Sequence, residues 1–216
     1  MLLVLTGVTA ISVALLAYVN ELTKGPIAEA NAKTLNEALK KVLPEFTNNP
    51  VAESDTIFSE KDGKKNVDFI VYPAKNGEEL VGTAVEAKSM GFGGELKVLV
   101  GFDANGKIID YSLLSHAETP GLGSKAADWF KKGSKGDITG MNPGEAALTV
   151  SKDGGQVDAI TASTITSRAF LNAVNAAYAA YAGQETSDGN TGASQKIVEQ
   201  PADATAAEAA DTLSVN

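Results

Sequence analysis

Five hydroxyl side chains fall within seven residues of the stretch DAITASTITSRAF at 158–170: Thr161, Ser163, Thr164, Thr166 and Ser167. Directly behind them the Ala-rich run RAFLNAVNAAYAAYA reads as a helix that starts near Ser163 or Thr164. Hydroxyls at a helix entrance have two uses. One caps the helix: Ser163 or Thr164 accepts a hydrogen bond from an orphan amide of the first turn, with Asp158 upstream in a tight approach. The other holds a phosphate, because free amides and the positive dipole end favour an anion there. Surplus hydroxyls then become phosphate ligands or a point of attachment. Composition alone leaves both uses open.

Two more stretches depart from what a bland sheet and helix require. HAETPGLG at 116–123 contains the Pro120-Gly121 turn signal and reads as a loop, with Glu118 and Thr119 placed directly before the turn. A carboxylate and a hydroxyl on a constrained loop suit binding. GFGG at 91–94 reads as a wide turn or bulge between strands, or as a place where a ligand approaches the backbone. His116 reads as a loop or surface histidine rather than a catalytic one, since nothing in the sequence gives it a partner.

Composition narrows the chemistry. The chain of 216 residues has no cysteine and a single histidine, which excludes disulfides, thiolate metal sites and cysteine-ligated clusters and argues against imidazole clusters. Redox chemistry would have to come from a cofactor held by other means. A formal net charge of −9 without a basic stripe argues against nucleic-acid binding.

The elements that position these stretches follow from the apolar pattern. Residues 1–19 carry no charged side chain, and as a helix they would be about 28 Å long, close to the hydrocarbon thickness of a bilayer. They are expected to span a membrane. The positive-inside rule gives no support for an outward-facing domain, since Lys24 follows the span; a basic stretch ahead of Met1 would reverse that sign. Residues 20–44 are expected to form a juxtamembrane segment that becomes an amphipathic helix after Pro26 and ends at Pro44. Four strands are expected in NVDFIVYP, ELVGTAVEAK, ELKVLVGFD and KIIDYSLLS, with a tight hairpin at Asn105-Gly106. The fold class is α+β: an antiparallel sheet with packed helices over 45–182. Residues 183–216, with one lysine against six acids and few large apolar residues, are expected to be a disordered acidic tail.

In order along the chain, the apolar start, TKGPIAEA, KVLP at 41–44, GFGG, HAETPGLG, ADWF at 127–130 and DAITASTITS resemble the FMN-binding domain family. This family includes the RnfG components of Rnf electron-transport complexes and the NqrC components of the sodium-translocating NADH:quinone oxidoreductase. The resemblance covers Met1 to about Ala182, and the chain's length favours the Rnf type. It implies that a flavin transferase esterifies FMN through its phosphate to the threonine closing a D-x-x-[ST]-G-A-[ST] pattern. Asp158 then matches the acid, Thr161 the first hydroxyl and Thr164 the attachment residue, so the chain would be a phosphoprotein in the chemical sense. Ala162 and Ser163 stand where the pattern has Gly-Ala, and Ala resists the positive φ that Gly allows. The 118–123 loop resembles the segment lying against the flavin, making Glu118, Thr119, Leu122 and Gly123 candidate contacts.

The resemblance further implies a single-pass protein of the cytoplasmic membrane, its soluble domain on the extracytoplasmic side. It would work with other Rnf-complex subunits in a ferredoxin:NAD oxidoreductase coupled to Na+ or H+ transport. Two rivals are a free-standing extracytoplasmic flavoprotein shuttle and a non-redox anchored binding domain whose hydroxyls only cap.

Overall fold

The computed structural model describes residues 1–61 and 64–183. All but the first residue of the expected acidic tail lies outside them.

Helix α1, Leu2–Val42, runs unbroken for 41 residues. The membrane-spanning and juxtamembrane helices expected as two pieces are therefore one, and Pro26 sits inside it rather than at a new start. An interior proline removes the hydrogen bond to the carbonyl four residues earlier, that of Leu22. Both residues are exposed, so water can take up that carbonyl. The first part of α1 is long and apolar enough to cross a bilayer. The helix stops where expected: Leu43 is extended, and Pro44 follows.

Five strands follow: β1 Asp55–Lys61, β2 Lys64–Asn76, β3 Glu79–Met90, β4 Glu95–Phe102 and β5 Ile108–Ser115. They form one antiparallel sheet in the order β1-β2-β3-β4-β5. Four were expected, and β1 is the addition. It is an edge strand whose Ile57 and Phe58 are largely exposed, so the alternation that betrays a half-buried strand is missing from DTIFSEK. Asn105-Gly106 lies in the β4–β5 hairpin, as expected.

Each face of the sheet is covered by one end of the chain. On one face, Val85, Ala87, Val98, Val100, Phe102 and Tyr111 pack against Phe170, Leu171, Val174 and Ala177 of α3, Thr164–Tyr181. Phe170 stacks on Phe130 at 4.3 Å between centroids and meets Tyr111 edge-on at 4.7 Å. Phe130 closes the short helix α2, Ala126–Trp129. Burial pushes the Tyr111 hydroxyl's pKa up, and that hydroxyl donates to the Ala126 carbonyl at 2.7 Å while accepting the Phe130 N–H. On the other face, Ala38, Leu39, Val42 and Leu43 of α1 and its end pack on Tyr72, Ala74, Ala84 and Leu99. Gly101 makes that approach possible, because a Cβ there would overlap the Val42 carbonyl. The helix whose first part is long and apolar enough to cross a bilayer thus ends as part of the domain's core.

Candidate functional site around the entrance of helix α3

Helix α3 begins at Thr164, with Ser163 in the capping position, but no side chain caps it. The expectation that Ser163 or Thr164 accepts a first-turn amide is therefore corrected: Ser163 engages through its carbonyl, which accepts the Ser167 N–H at 3.0 Å. The hydroxyls divide by burial. Ser167, fully buried, accepts the Ile160 N–H at 2.9 Å and donates to the Ser163 carbonyl at 3.0 Å, which ties the preceding turn onto the helix. Thr166, 1% exposed, donates to Glu118 Oε2 at 2.8 Å. Thr164 is half-buried, and its Oγ1 accepts a hydrogen bond from Lys152 Nζ at 3.2 Å. Thr161 is exposed on the turn.

That turn is closed by the Ser163 N–H to the Ile160 carbonyl at 3.0 Å, with Ala162 at φ +61°. Ala162 is the one non-glycine residue with positive φ among the described residues. The chain thus adopts at Ala162 the conformation that the glycine of the family pattern would take freely, despite the Cβ. A left-handed L-residue costs about 1–2 kcal/mol, part of which glycine gives back through its freer unfolded chain. Ala162→Gly is accordingly expected to raise stability by about 0.5–1 kcal/mol, read as a higher urea midpoint of the full chain in detergent. A lower midpoint would contradict the turn geometry.

Glu118 organises the neighbouring loops. It is 6% exposed, and its carboxylate accepts the Gly93 N–H on Oε1 and the Thr166 hydroxyl on Oε2. A Cβ at Gly91 or Gly123 would overlap those carboxylate oxygens, and one at Gly93 would overlap the Ala117 carbonyl. Gly91, Gly93 and Gly123 are therefore accounted for by the close packing of two loops around one buried carboxylate, and Gly121 by its positive φ in the turn. GFGG is the turn between β3 and β4 that was expected, closed by the Gly91 N–H to the Gly94 carbonyl at 2.9 Å. Thr119 is exposed, and its carbonyl accepts the N–H groups of Leu122 and Ser124. His116 is exposed, as expected, and its Nδ1 accepts the Glu118 N–H at 3.2 Å. Each loop carries one large apolar side chain outward: Phe92 at 71% exposure and Leu122 at 41%. The contacts from Gly93 through Glu118 to Thr166 tie the two loops to the first turn of α3.

On the other flank the 3-10 turn Ser151–Asp153 reaches the same entrance. Ser151 Oγ donates to Asp158 Oδ1 at 3.2 Å, and Asp153 takes Arg168 Nε and Nη2 in a bidentate pair at 2.7 Å each. The Arg168 guanidinium holds the Asp153 carboxyl below the usual carboxylate range. A depressed folded pKa contributes stability in full above the unfolded value of about 3.9, and that contribution is lost as pH falls through the folded value. The 151–158 loop is expected to keep its amide protection above about pH 4 and to lose it on further acidification. Asp153→Asn should loosen it at neutral pH, as read by hydrogen exchange at Gly154 and Gly155.

Asp158, Thr161, Ala162, Ser163 and Thr164 thus come together at one helix entrance, with Glu118 and Gly123 buried just behind it. Sequence reasoning missed Lys152, Arg168 and Phe92. The Asp153-Gly154 pair signalled a turn, but nothing in the chain order tells which helix end that turn meets.

Four half-buried or exposed features suit a flavin phosphate and ring: a hydroxyl, a facing ammonium, an uncapped helix start and two outward apolar side chains. Residues 91–179 match the FMN-binding domain family. The chain is 34% identical over 171 residues to the G subunit of the ion-translocating oxidoreductase complex of Cereibacter sphaeroides, covering 76% of this chain and 75% of that protein. The protein of the same name from Escherichia coli is 36% identical over 77% of this chain and 82% of its own. The G subunit of the Na(+)-translocating ferredoxin:NAD(+) oxidoreductase complex of Acetobacterium woodii is 34% identical over 83% of this chain and 89% of its own.

Proposed function

The chain belongs to the G-subunit family of ion-translocating oxidoreductase complexes, and from that premise we propose that it is a membrane-anchored electron-transfer protein carrying FMN covalently on Thr164. The observation that carries this reading is the position of Thr164 Oγ1, half-buried at the uncapped start of α3 and faced by Lys152 at 3.2 Å. Bound FMN supplies the redox chemistry, accepting and passing on electrons.

The residues of this chain bind and orient. Thr164 would provide the ester oxygen, and the first-turn amides of α3 would offer donors to the phosphate. Asp158 holds the 151–158 loop through Ser151. Glu118 fixes the two loops whose Phe92 and Leu122 side chains offer apolar cover for a flat ring. A tethered flavin is retained through repeated cycles.

Residues 1–19 contain no ionisable side chain of the kind expected along an ion path. Na+ or H+ transport therefore belongs to the other members of the complex, which this chain joins through its N-terminal helix. A flavin transferase matures the site, and the flavin domain faces the extracytoplasmic side.

The test is intact and peptide mass spectrometry of the full chain made with a competent flavin transferase. An FMN-sized addition on the peptide holding Thr164 is the expected result. No addition on any hydroxyl of that peptide would return the stretch to an ordinary helix entrance. The same protein in sealed vesicles, exposed to added protease from outside, reads which side the domain occupies.

A further inference from the structure

The turn Ser151–Asp153 makes a different contact with each of its three side chains. Ser151 bonds Asp158, Asp153 pairs with Arg168, and Lys152 between them donates to Thr164. The backbone under Lys152 is held from both sides. Val150 bridges Val157 in parallel, the Ser151 N–H reaches the Val157 carbonyl at 2.7 Å, and the Val157 N–H reaches the Thr149 carbonyl at 3.1 Å. Gly155 packs so closely on Thr149 that a Cβ would overlap it.

An exposed lysine gives up rotamer freedom when it is held in one geometry, and a neutral hydroxyl returns little for that loss. The charges around the hydroxyl suggest what compensates. Arg168 pairs with Asp153, while Asp158, at the same helix entrance, accepts the Ser151 hydroxyl and forms no ion pair among the described residues. A phosphodiester arriving there adds a second negative charge. Lys152 is placed to offset it, through a charge-assisted hydrogen bond of the stronger kind.

We propose that Lys152 is the phosphate-positioning residue of this site: its ammonium orients Thr164 Oγ1 and takes a non-bridging oxygen of the phosphate that Thr164 receives. This rests on Thr164 being the point of attachment. The attachment needs an activated phosphoryl donor, and a flavin dinucleotide such as flavin adenine dinucleotide, whose pyrophosphate bridge supplies a leaving group, balances the step. The bond between Thr164 Oγ1 and the flavin-side phosphorus forms as the phosphorus–oxygen bond to adenosine monophosphate breaks, and the hydroxyl proton passes to a base of the transferase. No electrons are exchanged. An ammonium at Oγ1 stabilises the oxygen as its proton leaves, and the same ammonium then lies within reach of the new diester.

The test uses the full chain in detergent with purified flavin transferase and flavin adenine dinucleotide. It compares the natural sequence with Lys152→Gln and Lys152→Arg. Three quantities are read: the initial rate of adduct formation by intact mass, the 31P chemical shift of the attached phosphorus, and the thermal midpoint. Lys152→Gln is expected to slow attachment by at least about 10-fold and to move the 31P signal at an unchanged midpoint, while Lys152→Arg recovers most of the rate.

Attachment to Lys152→Gln at the natural rate with an unmoved 31P signal would overturn the role of Lys152 and leave Thr164 as the attachment residue. Equal slowing in both variants with a lowered midpoint would overturn it too, by showing a purely structural lysine. Absence of an adduct on the natural sequence would overturn the attachment itself, and the lysine's role with it.

Discussion

Thr164→Ala is expected to lose FMN attachment completely, because no neighbouring hydroxyl can replace Thr164. Thr166 is 1% exposed and donates to Glu118; Ser167 is fully buried and bonded on both sides. Ser163 is 8% exposed. Thr161 is exposed on the turn before α3, three residues ahead of Thr164, whereas the Lys152 ammonium is bonded to Thr164. Only Thr164 combines partial exposure with the facing ammonium. The fold should tolerate the change, since Thr164 Oγ1 is bonded to nothing but a surface lysine among the contacts that build the core. In-gel flavin fluorescence and peptide mass give the answer, with Thr164→Ser expected to keep the adduct. A flavin adduct on Thr164→Ala would reassign the site.

Glu118→Ala is expected to cost the most stability of any single change at the site. It strands the buried Thr166 hydroxyl and takes the carboxylate partner from the Gly93 N–H, which belongs to an exposed residue and can turn to water. An unsatisfied buried donor costs about 1–3 kcal/mol, which is the loss expected from the Thr166 hydroxyl. It also leaves a hole between Gly91, Gly93 and Gly123, whose packing assumes that the carboxylate is there. Glu118→Gln keeps one carbonyl acceptor and should cost less. Urea denaturation of the full chain in detergent measures both. A near-zero effect of Glu118→Ala would mean that the two loops are held by something else.

The two changes separate chemistry from architecture. Thr164→Ala should remove the flavin and spare the fold, and Glu118→Ala should loosen the fold around an intact hydroxyl.

Much of this was legible in the sequence, and what was not has physical reasons. The β2–β5 strands announced themselves through buried apolar residues, and α3 through its periodic run; β1, an edge strand with an exposed Ile-Phe pair, had no such signal. GFGG and ETPGLG could each be read as turns, but their joint purpose emerges only when Glu118 is seen between them, since its partners Gly93 and Thr166 are 25 and 48 residues away in the chain. The strained Ala162 was foreseeable from the missing glycine, and the structure resolves that tension in favour of the turn. Lys152 was invisible for the opposite reason: a lysine in a polar loop carries no information until the helix it faces is known.

The unbroken α1 turns a residue count into a direction. Its apolar start and its packed end, Ala38 to Val42, belong to one continuous helix. Each residue inserted midway would rotate the flavin domain by about 100° about the helix axis and raise it by about 1.5 Å. One added residue would turn the α3 entrance nearly a right angle away from whatever it faces. Seven would return it almost to its original bearing, about 10 Å higher. The compass heading of the cofactor above the bilayer is thus written in the spacing between two ends of a single helix, much as a keyed shaft sets the heading of what is mounted on it.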